Sequence, residues 1–340
     1  MAGHPSGPGA RPGDRFRTGL TRLSVRQGWK EALDPGGTVV LVVSKDVREA
    51  LEARRPVVAL ESTIIAHGLP APRNLRVARG LEDDVRARGA VPATIAVLDG
   101  RPCVGLDGPQ LERVANDPAV RKLGHRDLPL AMATGASGAT TVSATALLAA
   151  RSGIRVFATG GLGGVHRQWT ATQDESADPA LLARTRITVV CAGVKSILDV
   201  PATLQRLETL GVAVAGYRTS RFPGFYLTDS GHPVDWRLDS PGAVANVMRA
   251  QDSLGGPDSA LIVARPVAES EQLDPGLHAR VLDAALKECD RRGITGQAVT
   301  PFLLDQLVRH TDGASLDANV AAVTGNVRLA ARIAAAWTGV

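Results

Sequence analysis

Lysine is scarce in this 340-residue chain. Five of its 39 basic residues are lysines, at positions 30, 45, 122, 195 and 287, so arginine is the default cation. A position that keeps lysine raises the question of what arginine could not do there. Arginine stays protonated, whereas a desolvated lysine can release its proton and attack a carbonyl carbon. Aromatic residues make up 3% of the sequence. That argues against the stacking platforms used to bind single-stranded nucleic acid, and it leaves the core to closely packed Ala, Val, Leu and Gly. Cysteine occurs three times, at Cys103, Cys191 and Cys289, with no metal-ligand spacing. An odd, scattered set of thiols argues against a disulfide scaffold and suits a reducing cytoplasm. No uninterrupted apolar run reaches the roughly 18 residues of a membrane-spanning helix, so no membrane partner is expected.

Most of the chain also lacks net charge. Arg11, Arg15, Arg17, Arg22, Arg26 and Lys30 against Asp14 account for the whole +5, so the sequence beyond residue 30 is formally neutral. The basic balance belongs to a leader rich in Gly, Pro and Arg, and a nucleic-acid-binding body is not expected. The leader has no apolar stretch of the secretory type. It reads as a disordered extension over residues 1–42, ahead of one large domain over 43–340.

In that domain, short apolar runs alternate with amphipathic stretches. "PVVALEST" (56–63), "IRVFATGGLGG" (154–164), "ITVVCAG" (187–193), "VAVAGYRT" (212–219) and "SALIVARPV" (259–267) read as strands. "TIAVLDGRPCVGL" (94–106) reads as a hairpin turning at Asp99-Gly100. Helices are predicted over 72–90, 139–153, 179–186, 196–211, 277–293, 300–311 and 315–337. Strands that are apolar throughout indicate an α/β domain with a mostly parallel sheet covered on both faces. In such sheets the site forms just past the carboxyl ends of strands. That rule singles out Glu61, the 160–167 loop and Lys195. Residues 221–241 read as a long irregular segment, a flap or an oligomer contact.

The local chemistry leaves alternatives open. Lys195 follows a dry apolar run that would lower its pKa, which suits a nucleophile; a helix-start cation or a phosphate anchor is the plainer reading. Glu61 at a strand end suits proton transfer, or a cap or ion pair. The glycine-rich "ATGGLGGVHR" (158–167) could cradle an anion with backbone N–H groups. His166 ends that loop; a lone histidine is more often structural, with metal or acid–base duty the sharper alternative, and it is kept here among the substrate-binding candidates. "QDESAD" (173–178) offers Asp174, Glu175 and Asp178 to a hard divalent cation. Asp178 before Pro179 also reads as a helix N-cap, which leaves Asp174 the better ligand. "GASGATTVSAT" (135–145) offers amides and hydroxyls at a helix start, and "KLGHRDLP" (122–129) adds Lys122 to a phosphate or carboxylate clamp.

Together, "VVALESTIIAHGLPAPRN", "GATTVSAT", "VFATGGLGGVHR", "DESAD", "TVVCAGVKSILD" and "SLDANVAAVTGN" resemble the pseudouridine-5'-phosphate glycosidases, in the family's order and across 43–340. The resemblance implies a three-layer α/β/α subunit, a homotrimer and a divalent cation, typically manganese. It implies reversible cleavage of the C–C glycosidic bond of pseudouridine 5'-phosphate, giving uracil and ribose 5-phosphate. By the same resemblance, Lys195 is the imine-forming lysine and Glu61 the proton carrier. Lys122 contacts the phosphate, and Asp174 holds the metal. Thr140, Thr141, Val142, Ser176, Ala177, Asp178 and Asn319 line the substrate. A Schiff-base lyase acting on another sugar phosphate, or a non-catalytic metabolite-binding protein, are the competing expectations.

Overall fold

The structure is a computed structural model. It describes residues 41–256 and 258–339. The expected disordered leader lies outside the described residues as far as position 40; Val42, assigned to it above, already belongs to a strand.

In chain order the strands are β1 (Val42–Val43), β2 (Val57–Leu60), β3 (Val91–Leu98), β4 (Arg101–Val104), β5 (Arg121–Leu123), β6 (Gly138–Thr140), β7 (Val156–Ala158), β8 (Thr188–Cys191), β9 (Ala213–Tyr217), β10 (Trp236–Leu238) and β11 (Leu261–Ala264). The α-helices are α1 (Lys45–Glu52), α2 (Arg73–Arg86), α3 (Gly108–Asn116), α4 (Leu128–Thr134), α5 (Val142–Arg151), α6 (Trp169–Thr172), α7 (Ala177–Leu182), α8 (Val200–Thr209), α9 (Pro241–Leu254), α10 (Pro275–Arg291), α11 (Val299–His310) and α12 (Ala314–Thr338).

The strands form one sheet in the order β1-β4-β3-β2-β7-β8-β11-β9-β10, with β6 joined to β3 and β5 to β6. Only the β3–β4 and β3–β6 pairings are antiparallel. The β3–β4 hairpin turns at Asp99 and Gly100, which have φ of +50° and +74°, the left-handed pair a tight two-residue turn requires.

Strand alternation explains why both faces are covered. Val57, Ala59, Phe157, Val189, Cys191, Ile262 and Ala264 point to one core, with α5, α7 and α10 over it. Val58, Leu60, Val156, Ala158, Val190, Leu261 and Val263 point to the other, under α2, α9 and α12. The covering helices meet the sheet through alanine: Ala144, Ala146 and Ala149 of α5, and Ala330 and Ala331 of α12, are fully buried. Small side chains let helix and sheet backbones approach closely.

The chain runs from β2 outward to β3 on one side, and from β7 to β8 on the other. The sheet therefore reverses its winding between β2 and β7, where a crevice opens at the carboxyl ends of the strands. Glu61 follows β2, Thr159 follows β7, and the turn bearing Lys195 follows β8.

Two local expectations change. The helix expected from residue 196 begins at Val200; Asp199 caps it by accepting from the Ala202 amide at 3.0 Å, with Pro201 in the first turn where its missing N–H is harmless. Residues 196–199 are thereby left as a turn. The irregular segment after 221 is no loose flap at its start: Phe222, Phe225 and Tyr226 are buried in the core, and the Phe225 amide donates to Ala192 O at 2.8 Å.

Candidate active site

Glu61 leaves the apolar strand β2 and is half-buried. Both of its oxygens are engaged: Thr63 Oγ1 donates to Oε2 and Thr159 Oγ1 donates to Oε1. The Thr159 bond spans the β2/β7 crevice, and the two together fix the carboxylate there. Behind them, Thr63 Oγ1 lies 3.0 Å from Thr140 O, an alternative acceptor for the same proton, and Asn326 Nδ2 of α12 donates to Thr159 O at 2.8 Å. The glutamate thus stands on a rigid frame drawn from three parts of the chain.

Lys195 lies between the buried Val194 and Ser196. Its amide donates to Leu162 O at 3.0 Å, and its carbonyl accepts from the Leu198 amide at 2.9 Å, closing the turn. Gly193 makes the turn possible. Its φ is +88°, and a Cβ there would lie 2.2 Å from Pro223 O. Arg167 braces the same turn, donating to Ser196 O at 3.0 Å and Ile197 O at 3.2 Å. Beneath it, Ser196 Oγ meets Nε2 of the buried His278 at 2.7 Å. Among the described residues no carboxylate forms an ion pair with Lys195, and the bonds that fix this residue are made by its backbone.

Lys122 is fixed in β5, opposite Ala139 of β6. Surrounding protein lowers its pKa below the ordinary lysine value, and the charge of Lys195 adds to that; Glu61 and Asp178 oppose it. Lys195, Glu61 and Asp178 are therefore the charges that Lys122 feels. Lys122 is still open to water, as a cation that meets a ligand must be.

The segment around α5 expected to line the substrate divides by side chain. The Thr140 hydroxyl is wholly buried; it donates to Ile95 O at 2.7 Å and accepts from Thr145 Oγ1 at 2.8 Å. Thr141 caps α5 through its backbone without a side-chain cap bond, and its hydroxyl meets Ser143 Oγ at 3.2 Å. The first helical amide, Val142 N–H, points out of the helix start, where a phosphate is favoured.

Asp178 corrects the sequence reading. It is not the cap of α7; Ser176 takes that place, accepting from the Asp178 amide at 3.2 Å, and Ala177 is the first helical residue. The buried Asp178 carboxylate instead accepts from Ser143 N at 3.0 Å and Gly163 N at 2.9 Å. The glycine-rich loop is corrected with it. The amides of Leu162, Gly163, Val165 and His166 donate to Gly193 O, Asp178, Thr203 Oγ1 and Asp174 O. They are committed to protein acceptors, so the loop is a crosslinked floor and not an anion cradle along that stretch.

The three acids of 173–178 separate in the same way. Glu175 pairs with Arg206 at 2.9 Å and Asp178 with amides, which leaves Asp174. Its Oδ2 lies 3.7 Å from His166 Nδ1. Burial lowers the His166 pKa, with Asp174 opposing, which favours the neutral imidazole a metal ligand needs. Among the described residues no three His, Cys, Asp or Glu side chains gather around one point. A hard divalent cation that keeps most of its water needs only one or two protein oxygens or nitrogens, and this donor set fits that kind of site.

Asn319 of α12 is half-buried, with its Oδ1 hidden and without a hydrogen-bond partner among the described residues. A Cβ on Gly160 would approach it to 3.0 Å. An unmatched acceptor over the strand end that carries Thr159 is a polar group in want of a ligand.

The model of indigoidine synthase A like proteins matches residues 46–336. The chain belongs to that family. Among its relatives in the indigoidine synthase A-like family, the pseudouridine-5'-phosphate glycosidase of Streptomyces griseus subsp. griseus is 74% identical over 295 residues, covering 87% of this chain and 91% of the relative. The protein of the same name from Frankia alni is 61% identical over 297 residues, covering 87% and 82%. Two solved structures share the fold. The prealnumycin C-glycosynthase AlnA, in complex with ribulose 5-phosphate, gives a TM-score of 0.82 at 38% identity, covering 88% of this chain and 97% of that one. An indigoidine synthase A-like protein from Thermotoga maritima gives 0.78 at 35% identity, covering 86% and 96%.

Sequence reasoning missed the supports in this family member. Thr159 stands in a strand-end "ATGG", where polar-after-apolar could have marked it as Glu61 is marked. Asn326, Arg167 and His278 carried no local signal, because their partners are distant in sequence.

Proposed function

We propose that this protein is a cytoplasmic pseudouridine-5'-phosphate glycosidase that cleaves its substrate to uracil and ribose 5-phosphate through an imine on Lys195. The observation that carries the reading is the placement, at the carboxyl ends of neighbouring strands around one switch point, of a doubly hydrogen-bonded Glu61 and of Lys195 in a backbone-fixed turn. The 74% identical relative bearing that name supports the substrate.

A C-glycoside has a carbon leaving group, so protonation and an oxocarbenium ion alone serve poorly. The Lys195 amine bonds to C1' as O4' departs and takes a proton relayed by Glu61, which opens the ribose ring. The nitrogen lone pair then expels the C1'–C5 bond; the electron pair goes to uracil C5, which takes a proton, and an iminium remains on Lys195. Water hydrolyses it to the aldehyde of ribose 5-phosphate and regenerates the lysine. Lys122, Thr141 and the Val142 amide hold the phosphate and so fix the opened sugar. Ser176, Ala177 and Asn319 bound the remaining substrate. A divalent cation, manganese by resemblance, would be held by Asp174 with His166 beside it, and supplies polarisation of substrate oxygens.

The working form is a homotrimer. Leu130, Trp236 and Leu254 are 66%, 74% and 84% exposed in the single chain, and subunit contacts would cover such side chains; light scattering after gel filtration tests it. A second reading, C–C bond formation between ribose 5-phosphate and an acceptor other than uracil, is favoured by the likeness to a C-glycosynthase. Incubation of pseudouridine 5'-phosphate with protein and Mn²⁺ tests the first reading: uracil and ribose 5-phosphate appear in equal amounts. Absence of both products, with and without the metal, contradicts it.

A further inference from the structure

On the far side of α12 from Asn326 lies a cleft of about 400 Å³, bordered by Arg73, Arg265, Glu271, Asp317, Arg328 and Arg332. None of these residues belongs to the site above. Arg73 is neutralised by Asp317 at 2.5 Å and Arg328 by Asp84 at 2.9 Å. No such ion pair joins Arg265 or Arg332 to a carboxylate among the described residues. Arg265 is half-buried at the carboxyl end of β11, and its Nη1 is shut off from water with no hydrogen-bond partner among the described residues. Glu271 is near enough to stabilise its charge, whereas Arg328 and Arg332 oppose it.

A partly desolvated guanidinium without a contacting acceptor is costly. The helix has nevertheless been shaped to keep it. A Cβ at Gly325 would lie 2.1 Å from Arg265 Nη1, 2.3 Å from Cζ and 2.5 Å from Nη2. Glycine in mid-helix costs about 1 kcal/mol relative to alanine, and here its absent side chain is the space the guanidinium fills. The lining sets four arginines against two carboxylates, Glu271 and Asp317, an excess of positive charge that suits a dianion, and the planar donor fork of arginine matches tetrahedral oxyanions. Thr324 adds a hydroxyl to the lining.

We propose that this cleft is a binding site for a phosphate-type dianion, separate from the contacts made by Lys122. Calorimetric titration of inorganic phosphate into the full chain at low salt tests it. R332M removes an exposed cation, and G325A keeps every charge but displaces Arg265. Each is expected to weaken a phosphate-binding event at least about tenfold, the loss of one charge-assisted contact. Lys122→Ala leaves that event in place, and the R332M protein keeps near wild-type turnover of pseudouridine 5'-phosphate, which shows it is folded. Titration with ribose 5-phosphate separates the sources: competition at the cleft assigns it to phosphate monoesters, and none assigns it to the free ion. Phosphate affinity unchanged by both R332M and G325A, or abolished by Lys122→Ala alone, overturns the proposal. So does a shift of oligomeric state in R332M with phosphate affinity intact, since the arginines would then serve a carboxylate of a second copy.

Discussion

Replacing Asp178 by asparagine separates a structural carboxylate from a substrate contact. Asp178 is 5% exposed, and each of its oxygens accepts a different amide, Ser143 N at 3.0 Å and Gly163 N at 2.9 Å. It ties the start of α5 to the glycine-rich loop. The asparagine side chain has one acceptor oxygen, so its NH₂ must face one of those N–H groups. That loses one charge-assisted bond and strands one buried amide, a cost of about 2–5 kcal/mol. The favourable placement of a negative charge at the α5 N-terminus goes as well. With a urea m-value of about 3 kcal/mol/M, the unfolding midpoint should fall by roughly 1 M. Urea unfolding followed by circular dichroism reads it, with kinetics on pseudouridine 5'-phosphate alongside. A midpoint within about 0.2 M of wild type together with a raised KM would refute the reasoning, and would return Asp178 to the substrate.

Thr159→Val removes one of the two donors to Glu61. It should lower kcat by about 10–100-fold, the worth of one bond to a charged group, with KM little changed; an unaltered kcat would count against Glu61 as the proton carrier. Gly193→Ala places a methyl 2.2 Å from Pro223 O at a φ of +88°. Loss of about 2 kcal/mol or more in stability follows from overpacking and strain combined, read by the same urea titration, and a stable variant would contradict the need for glycine in the lysine turn. Burial, with Arg167 adding to it, lowers the His278 pKa from 6.5 to about 4. The unfolded chain takes up that proton first, so stability is full above pH 6.5 and falls as pH drops towards 4, by up to about 3 kcal/mol. His278→Gln should flatten that window in pH-dependent unfolding, and equal slopes in variant and wild type would refute the assignment.

What the sequence made legible is what depends on position along the chain. Glu61 and Lys195 stand at the carboxyl ends of apolar strands, and that placement is readable from the apolar runs that precede them. The Asp99-Gly100 turn was readable because few residues accept two left-handed conformations. The misreadings share a cause. Asp178 before Pro179 has the local pattern of a cap, yet its partners are 35 and 15 residues away. The glycine-rich loop has the composition of an anion cradle, yet four of its amides, those of Leu162, Gly163, Val165 and His166, are taken by Gly193, Asp178, Thr203 and Asp174. Thr159 reaches Glu61 across 98 residues, and Asn326 reaches Thr159 across 167. Only tertiary packing decides which of several available acceptors a donor finds.

The central claim is that the Lys195 amine forms the covalent bond to the sugar. Borohydride reduction of the protein with ribose 5-phosphate, followed by peptide mass mapping, tests it most directly. The account predicts a reduced sugar adduct on the peptide containing Lys195, lost in Lys195→Arg and retained in Lys122→Ala at higher ribose 5-phosphate. An adduct on another lysine, or none on the active wild-type protein, would contradict it.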